Sequence, residues 1–214
     1  LKKIGYDVLA FDAVADELNS EQFIEKLVDE KPDVIFMECS TPSFEQDISN
    51  GLKLKEKGFK VFIFGTHIST FTPEIIEKYK NIDGFIKGEF EYIIKDICHN
   101  INNLNSVKGL NYWDNEMDKA IINPRAENIE NLDDLPYPDR VSFDQKKYYI
   151  HLDPKPNALL VSSRGCPFQC TYCIWPQAMN GNVYSWESES EKAGEKDSHS
   201  AVLNEKDDVF AVTR

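Results

Sequence analysis

The stretch "VFIFGTHIST", residues 61–70, decides the fold class, because four apolar residues run directly into a small polar loop. Continuous apolar runs of this length are typical of strands that are buried on both faces. Similar runs begin at Val8 ("VLAF"), Val34 ("VIFM") and Gly84 ("GFI"). Their spacing leaves room for one helix between successive strands, so the sequence predicts an α/β domain built on a parallel sheet.

Helix signals fill the gaps between these runs. Ser20 and Thr72 each stand at a helix start as candidate caps, and helices are expected over about 44–57 and 91–100. The opening "LKKIGY" resembles the end of a helix closed by Gly5, so we expect an N-terminal fragment that lacks the first strand of its sheet. The pattern predicts a doubly wound domain of the Rossmann-like or flavodoxin-like type.

The loops that follow the strands form the candidate binding site, because ligands of open α/β sheets bind outside the carboxyl ends of the strands. These loops are "CSTPS" (residues 39–43), "GTHIST" (residues 65–70) and "GEFE" (residues 88–91). Small residues allow the backbone to approach a flat ligand, and hydroxyl and backbone N–H groups can bind its polar periphery.

A second candidate site is the loop "RGCPFQCTYC", residues 164–173, which follows a predicted strand over residues 158–163. It holds Cys166, Cys170 and Cys173, whereas the remaining cysteines, Cys39 and Cys98, stand at distant positions. Three thiolates suit an iron–sulfur cluster that keeps one iron open. Two alternatives remain: three buried thiols on one helix face, which the neighbouring glycine and prolines disfavour, and a zinc site completed by a distant histidine (His67, His99 or His151).

The cysteine loop with its flanks, "SSRGCPFQCTYCIWPQ", resembles that of radical S-adenosylmethionine (SAM) enzymes with an N-terminal cobalamin-binding domain. The resemblance implies that Cys166, Cys170 and Cys173 bind a 4Fe-4S cluster whose fourth iron binds SAM, and that Tyr172 lies beside the adenine. Reductive cleavage of SAM to a 5′-deoxyadenosyl radical would follow, most often for methyl transfer to an unactivated carbon. The resemblance implies no catalytic residue beyond the cluster.

The same resemblance assigns the polar loops of the sheet to cobalamin. The implied cobalamin-binding residues are Ser40, Thr41, Gly65, Thr66, His67, Gly88 and Glu89. No Asp-x-His-x-x-Gly motif, which would supply an axial ligand to cobalt, occurs in the chain. Cobalamin without an axial histidine is usual in this family, and a lone histidine such as His67 is more often a hydrogen-bonded structural residue.

Four segments are expected. They are a cobalamin-binding domain at 1–104, a hairpin and acidic linker at 105–150, the start of a radical SAM barrel at 151–183, and an acidic, disordered tail at 184–214. The tail assignment follows from a serine-rich and glutamate-rich composition that offers little to bury. The fragment by itself is expected to be inactive.

Composition narrows the function further. The 214 residues carry a formal net charge of −13, which argues against binding to nucleic acid or to an anionic membrane surface. Apolar runs are too short to span a membrane, and five cysteines suit a reducing cytoplasm. The family resemblance implies an electron donor such as flavodoxin or ferredoxin and a small-molecule or lipid-like substrate that the sequence does not identify.

Two other functions stay open. The chain could be a non-catalytic cobalamin-binding module with an incomplete cluster site. It could also be a methylthiotransferase-like radical SAM protein, although those proteins resemble it only at the cysteine loop. Their N-terminal domain brings three cysteines of its own, whereas only Cys39 and Cys98 precede the loop here.

Overall fold

The structure, a computed structural model, describes residues 1–148 together with residues 164, 172 and 173. Within this part of the chain, residues 19–128 form one compact unit, and residues 1–18 with 129–148 form a second. Apart from those three single residues, the predicted barrel start at 151–183 and the predicted tail at 184–214 lie outside the described residues. The four domain boundaries stay predictions.

The first unit contains a sheet of five strands among its described residues. The strands are β1 (Val34–Glu38), β2 (Lys60–Phe64), β3 (Gly84–Ile86), β4 (Leu110–Asp114) and β5 (Lys119–Ile122), in the spatial order β1-β2-β3-β4-β5. The first three strands are parallel, and β4 and β5 are antiparallel. The α/β class is therefore confirmed, but the sheet is mixed, because the predicted hairpin extends it by pairing with β3.

Four α-helices accompany this sheet in the described part of the chain. They are α1 (Ser20–Glu30), α2 (Phe44–Glu56), α3 (Pro73–Lys78) and α4 (Phe90–His99). Helices α2, α3 and α4 each follow a parallel strand, as the strand spacing predicts. None of the described helices is long and apolar enough to cross a membrane.

Helices cover both faces of β2, the middle one of the three parallel strands. Phe62 packs in a buried cluster that includes Ile93 of α4. Ile63 points to the opposite face, where a Cβ atom added to Gly51 of α2 would lie 3.3 Å from its side chain. Because neighbouring residues of a strand point to opposite faces, a strand covered on both sides needs an unbroken apolar run. This packing explains the continuous pattern of residues 61–64.

An ion pair and a hydrogen bond of Asp83 hold the amino-terminal ends of β2 and β3 together. Lys55 Nζ of α2 contacts both carboxylate oxygens of Asp83, at 2.8 and 2.7 Å. Asp83 also accepts a 2.6 Å hydrogen bond from the backbone N–H of Val61, whose side chain is fully buried. One carboxylate thus joins α2, β2 and the turn that leads into β3.

The predicted cap of α1 is displaced by one residue. Asn19, rather than Ser20, is the N-cap, and its side-chain oxygen accepts a 3.0 Å bond from the Gln22 N–H. The Gln22 side chain accepts the Asn19 N–H at 3.0 Å in return, which completes a capping box. The Ser20 hydroxyl instead accepts a hydrogen bond from the Gln46 side chain of α2.

The expected strand at Val8 is absent from the described residues. Residues 8–11 form no strand, and Leu9 in their middle is 49% exposed. A strand exists only through ladder hydrogen bonds to a neighbour, and an apolar run does not supply that neighbour. In the described sheet, β1 pairs with β2 alone. The prediction of a strand at this position is therefore wrong for this structure.

The second unit joins the start of the chain to the segment after residue 128. A single 3₁₀ turn, Lys2–Ile4, ends at Gly5 with φ 93°, which confirms the predicted helix end. The Asp12 side chain is 5% exposed and accepts hydrogen bonds from two backbone N–H groups of its own turn and from the Tyr148 hydroxyl. Lys147 forms a further ion pair with Asp16 at 2.6 Å.

Candidate functional site

The three predicted loops follow the parallel strands in order. We call residues 39–43 the first loop, residues 65–70 the second loop and residues 88–91 the third loop. They follow β1, β2 and β3 respectively, and the register pairs Ile63 of β2 with Met37 of β1 and with Phe85 of β3. The carboxyl ends of parallel neighbours meet at one edge of a sheet, so the loops share that edge.

Hydrogen bonds within the first loop determine its shape. The Ser40 and Ser43 hydroxyls lie 2.8 Å apart, and the Ser43 hydroxyl also contacts the backbone N–H and carbonyl of Ser40 at 3.3 Å. The Thr41 side chain is exposed at the tip. Ser40 is thus partly used by the loop itself, whereas Thr41 is accessible to a ligand.

Gly65 is required by the backbone of the first loop. Its φ is 126°, and a Cβ atom added there would lie 2.2 Å from the carbonyl oxygen of Cys39. The Cys39 N–H donates to the Phe64 carbonyl at 2.8 Å, which holds that backbone in place. The sequence predicts a glycine that makes room for a ligand, and the structure fills this room with another part of the chain. No ligand contact is needed to explain Gly65.

Ser69 connects the second loop to the third. Its side chain is buried, with 3% exposure. The hydroxyl donates to the Gly65 carbonyl at 3.1 Å and accepts the Gly88 N–H at 3.2 Å. Ser69 lies within the predicted second loop, but its sequence context predicts no ligand contact for it. The sequence signal that could have identified Ser69 is a hydroxyl residue that lies in the chain between two glycines, Gly65 and Gly88, each of which follows a strand.

His67 joins the first two loops. Its Nδ1 atom lies 3.1 Å from the Thr41 hydroxyl, and its ring packs 4.4 Å from the ring of Phe44 and 5.9 Å from that of Phe71. A side chain held by one hydrogen bond and two aromatic rings is a structural link. This environment agrees with the interpretation of His67 as a hydrogen-bonded structural residue.

The third loop places Gly88 and Glu89 at the start of α4. Gly88 is buried with φ 94°, and Glu89 is the N-cap residue, although its side chain makes no capping hydrogen bond. Burial lowers the pKa of the Arg125 guanidinium, and the charge of Glu89 opposes this effect. Glu89 therefore has a cationic neighbour, Arg125, that lies 36 residues further along the chain.

The two cysteines that precede the cysteine loop are free thiols, of which Cys39 is buried and Cys98 is half-buried. Burial, followed by the charge and hydrogen bond of Asp47, raises the pKa of Cys39 to about 12. Burial also raises the pKa of Cys98. Metal ions and clusters bind the thiolate form. Within the described residues, no group of three or more His, Cys, Asp or Glu side chains could hold a metal ion.

Most of the cysteine loop lies outside the described residues. Cys166 and Cys170 belong to that part, so their predicted role as cluster ligands stays a prediction. Cys173 is a half-buried free thiol, and the Tyr172 side chain is 90% exposed. Tyr172 is thus accessible, and its predicted place beside the adenine of SAM also stays a prediction.

The chain is similar to curated proteins that are named as methyltransferases or as a cyclase. No family profile matches the chain. It is 28% identical over 174 residues to an uncharacterized methyltransferase of Pyrococcus horikoshii, covering 78% of this chain and 37% of the relative. It is 28% identical over 183 residues to the anaerobic magnesium-protoporphyrin IX monomethyl ester cyclase of Rubrivivax gelatinosus, covering 81% and 32%. A third relative, 22% identical over 171 residues, is the cobalamin-dependent radical SAM methyltransferase TokK of Streptomyces tokunonensis, covering 74% and 24%.

One solved structure has a fold similar to that of this chain. It is the radical SAM methyltransferase TsrM from Kitasatospora setae with cobalamin and a 4Fe-4S cluster bound. The match has a TM-score of 0.56 at 16% identity and covers 83% of this chain and 37% of the other, so it supports the fold. The predicted resemblance to cobalamin-binding radical SAM proteins is confirmed.

These matches cover this chain more fully than they cover the relatives. The chain spans about a third of the length of the first two curated relatives that it matches. The edge formed by the three loops fits a cobalamin in its donor chemistry, because it presents the hydroxyls of Thr41, an exposed residue, and Thr66, a half-buried residue. Hydroxyl groups can both donate to and accept from the amide groups of a corrin periphery.

Proposed function

We propose that the protein is a cobalamin-dependent radical SAM enzyme that transfers a methyl group to an unactivated carbon. The observation that carries this proposal is the meeting of three small polar loops at one edge of the parallel strands. The sequence similarity to a named cobalamin-dependent radical SAM methyltransferase supports the same function.

In this proposal, cobalamin binds at the edge of the sheet. The hydroxyls of the exposed Thr41 and the half-buried Thr66 bind its amide periphery, and Ser40 and Glu89 supply further polar contacts. Gly65 and Gly88 shape the edge through their backbone conformation. His67 would support the loops that hold the cobalamin, because its ring is held by Thr41 and by aromatic neighbours.

The cluster site is proposed from the cysteine loop. Cys166, Cys170 and Cys173 bind a 4Fe-4S cluster, and Tyr172 packs beside the adenine of SAM. When bound, the cluster and SAM supply one-electron chemistry, and cobalamin supplies a methyl carrier. An electron donor such as flavodoxin or ferredoxin provides the electron. Cys39 and Cys98 are not part of this ligand set, because neither has a second cysteine at ligand spacing in the sequence.

Anaerobic reconstitution of the chain tests this proposal. The chain is supplied with iron, sulfide and hydroxocobalamin, and bound iron and cobalamin are measured after desalting. We expect about one cluster and about one cobalamin per chain. Replacement of Cys166, Cys170 and Cys173 by alanine should remove the iron and leave cobalamin bound, because the two sites use different residues.

Cys98→Ala is the matched control, because it removes a thiol outside the cysteine loop, and it should retain both cofactors. Iron retained by the triple variant would contradict the cluster assignment. Cobalamin bound without any iron in the wild-type chain would favour the non-catalytic module instead. Failure of the wild-type chain to bind cobalamin would contradict the proposed function.

A further inference from the structure

We infer that Ser69 is a positioning residue that locks the second and third loops into one binding surface for cobalamin. The inference rests on the proposed function, since it concerns the same edge of the sheet. Ser69 is not expected to contact the ligand, because its side chain is 3% exposed. It acts through the two glycines to which it is hydrogen-bonded.

The hydroxyl of Ser69 is suited to this role because it is a donor and an acceptor at once. It donates its single hydrogen to the Gly65 carbonyl at 3.1 Å and accepts the Gly88 N–H at 3.2 Å. The Ser69 N–H donates to the same Gly65 carbonyl at 3.1 Å, which fixes the Ser69 backbone relative to the end of β2. The Ser69 side chain thus links the residue that follows β2, Gly65, to Gly88 in the loop that follows β3 by hydrogen bonds.

The two glycines make this link important. Gly65 and Gly88 have φ values of 126° and 94°, so each loop leaves its strand through a backbone conformation with few local restraints. Cys39 restrains Gly65 from the side of the first loop. For Gly88, the Ser69 hydroxyl is the acceptor of a buried backbone N–H. Loss of the hydroxyl frees the third loop to shift against the second.

A ligand as wide as a corrin must contact several loops at once, so its affinity depends on their relative position. Ser69→Ala removes both hydrogen bonds with the loss of one atom. Ser69→Thr keeps the hydroxyl and tests for rescue. Ser106→Ala is the matched control, because the Ser106 hydroxyl also donates to a backbone carbonyl, that of Asn103 at 2.9 Å, but lies outside the three loops.

The test is a titration of the 214-residue chain with hydroxocobalamin, followed by its visible spectrum, at a temperature where circular dichroism shows every variant to be folded. Ser69→Ala should raise the dissociation constant about tenfold, with Ser69→Thr and Ser106→Ala within about threefold of the wild type. A purely structural role would lower the melting temperature and leave the dissociation constant of the folded protein unchanged. Unchanged affinity in Ser69→Ala would therefore overturn the inference while the proposed function stands.

Hydrogen exchange of the ligand-free chain separates this inference from the proposed function. The peptide that contains Gly88 should exchange faster in Ser69→Ala than in the wild type, because its N–H loses its acceptor. Exchange that remains as slow as in the wild type would overturn the link between the loops, whatever the cobalamin result. Absence of cobalamin binding by the wild-type chain would overturn the proposed function, and the role of Ser69 in binding with it.

Discussion

Gly65→Ala should destabilise the first unit severely, since the new methyl group meets backbone rather than a movable side chain. The added Cβ atom would lie 2.2 Å from the carbonyl oxygen of Cys39 and 3.1 Å from its carbonyl carbon. An ordinary van der Waals contact is more than 1 Å longer than the first of these distances. Relief would require β1 and β2 to separate at their carboxyl ends, where Cys39 donates to Phe64.

The expected magnitude has two parts. A φ of 126° lies in a region that residues with side chains rarely adopt, and this strain costs ~1–3 kcal/mol. Overpacking of a well-packed region adds ~1–3 kcal/mol. The sum of roughly 2–6 kcal/mol is a large part of the ~5–15 kcal/mol by which a domain is stable. Gly65→Ala is therefore expected to be largely unfolded or to melt far below the wild type.

Gly58→Ala is the matched control, because Gly58 also has a positive φ of 92° but no atom within 4 Å of the added Cβ. It should lose only the conformational part, ~1–3 kcal/mol. Urea unfolding followed by far-ultraviolet circular dichroism gives the free energy of unfolding for both variants. If Gly65→Ala and Gly58→Ala lost the same free energy within about 0.5 kcal/mol, the contact with Cys39 would not be the reason for this glycine.

Two further predictions concern other parts of the structure. Asp83→Ala should lower the free energy of unfolding, measured with urea, by roughly 2–3 kcal/mol, because it leaves the buried Val61 N–H without its acceptor. Lys55→Ala removes only the ion pair and should lower it by about 0.5–1 kcal/mol. Equal losses in the two variants would contradict this assignment. Burial and the neighbouring charge of Asp12 raise the pKa of Tyr148 to about 12. An unfolded tyrosine ionises near pH ~10. The folding stability that is linked to the protonated form of Tyr148 is therefore complete below that pH and is lost as the pH rises through about 12. A spectrophotometric titration of tyrosinate should show a component near pH 12 that Tyr148→Phe lacks, and its persistence in that variant would refute the assignment.

Local pattern was sufficient to predict the main elements of the fold. The apolar runs at Val34, Val61 and Gly84 became the three parallel strands, and Gly5 ended a helical turn as expected. The run at Val8 is also apolar but forms no strand, because a strand also needs a neighbour for its hydrogen bonds. Strand pairing also explains the difference at the hairpin. Local pattern predicts its two strands, but the pairing of β4 with β3, which makes the hairpin part of the sheet, depends on the fold.

The candidate site likewise has features that local sequence predicts and contacts that depend on the fold. Local sequence pattern is sufficient to predict the α/β class, the three polar loops that follow the strands, and the spacing of three cysteines in the second candidate site, because each depends on residues that are neighbours in the chain. The folded structure is needed to show that Gly65 is required by Cys39, that His67 supports Thr41, and that Ser69 holds Gly88. These partners are 19 to 26 residues apart and lie in loops that follow different strands. Their contact depends on strand order and register, which are properties of the folded sheet and not of any single stretch of sequence.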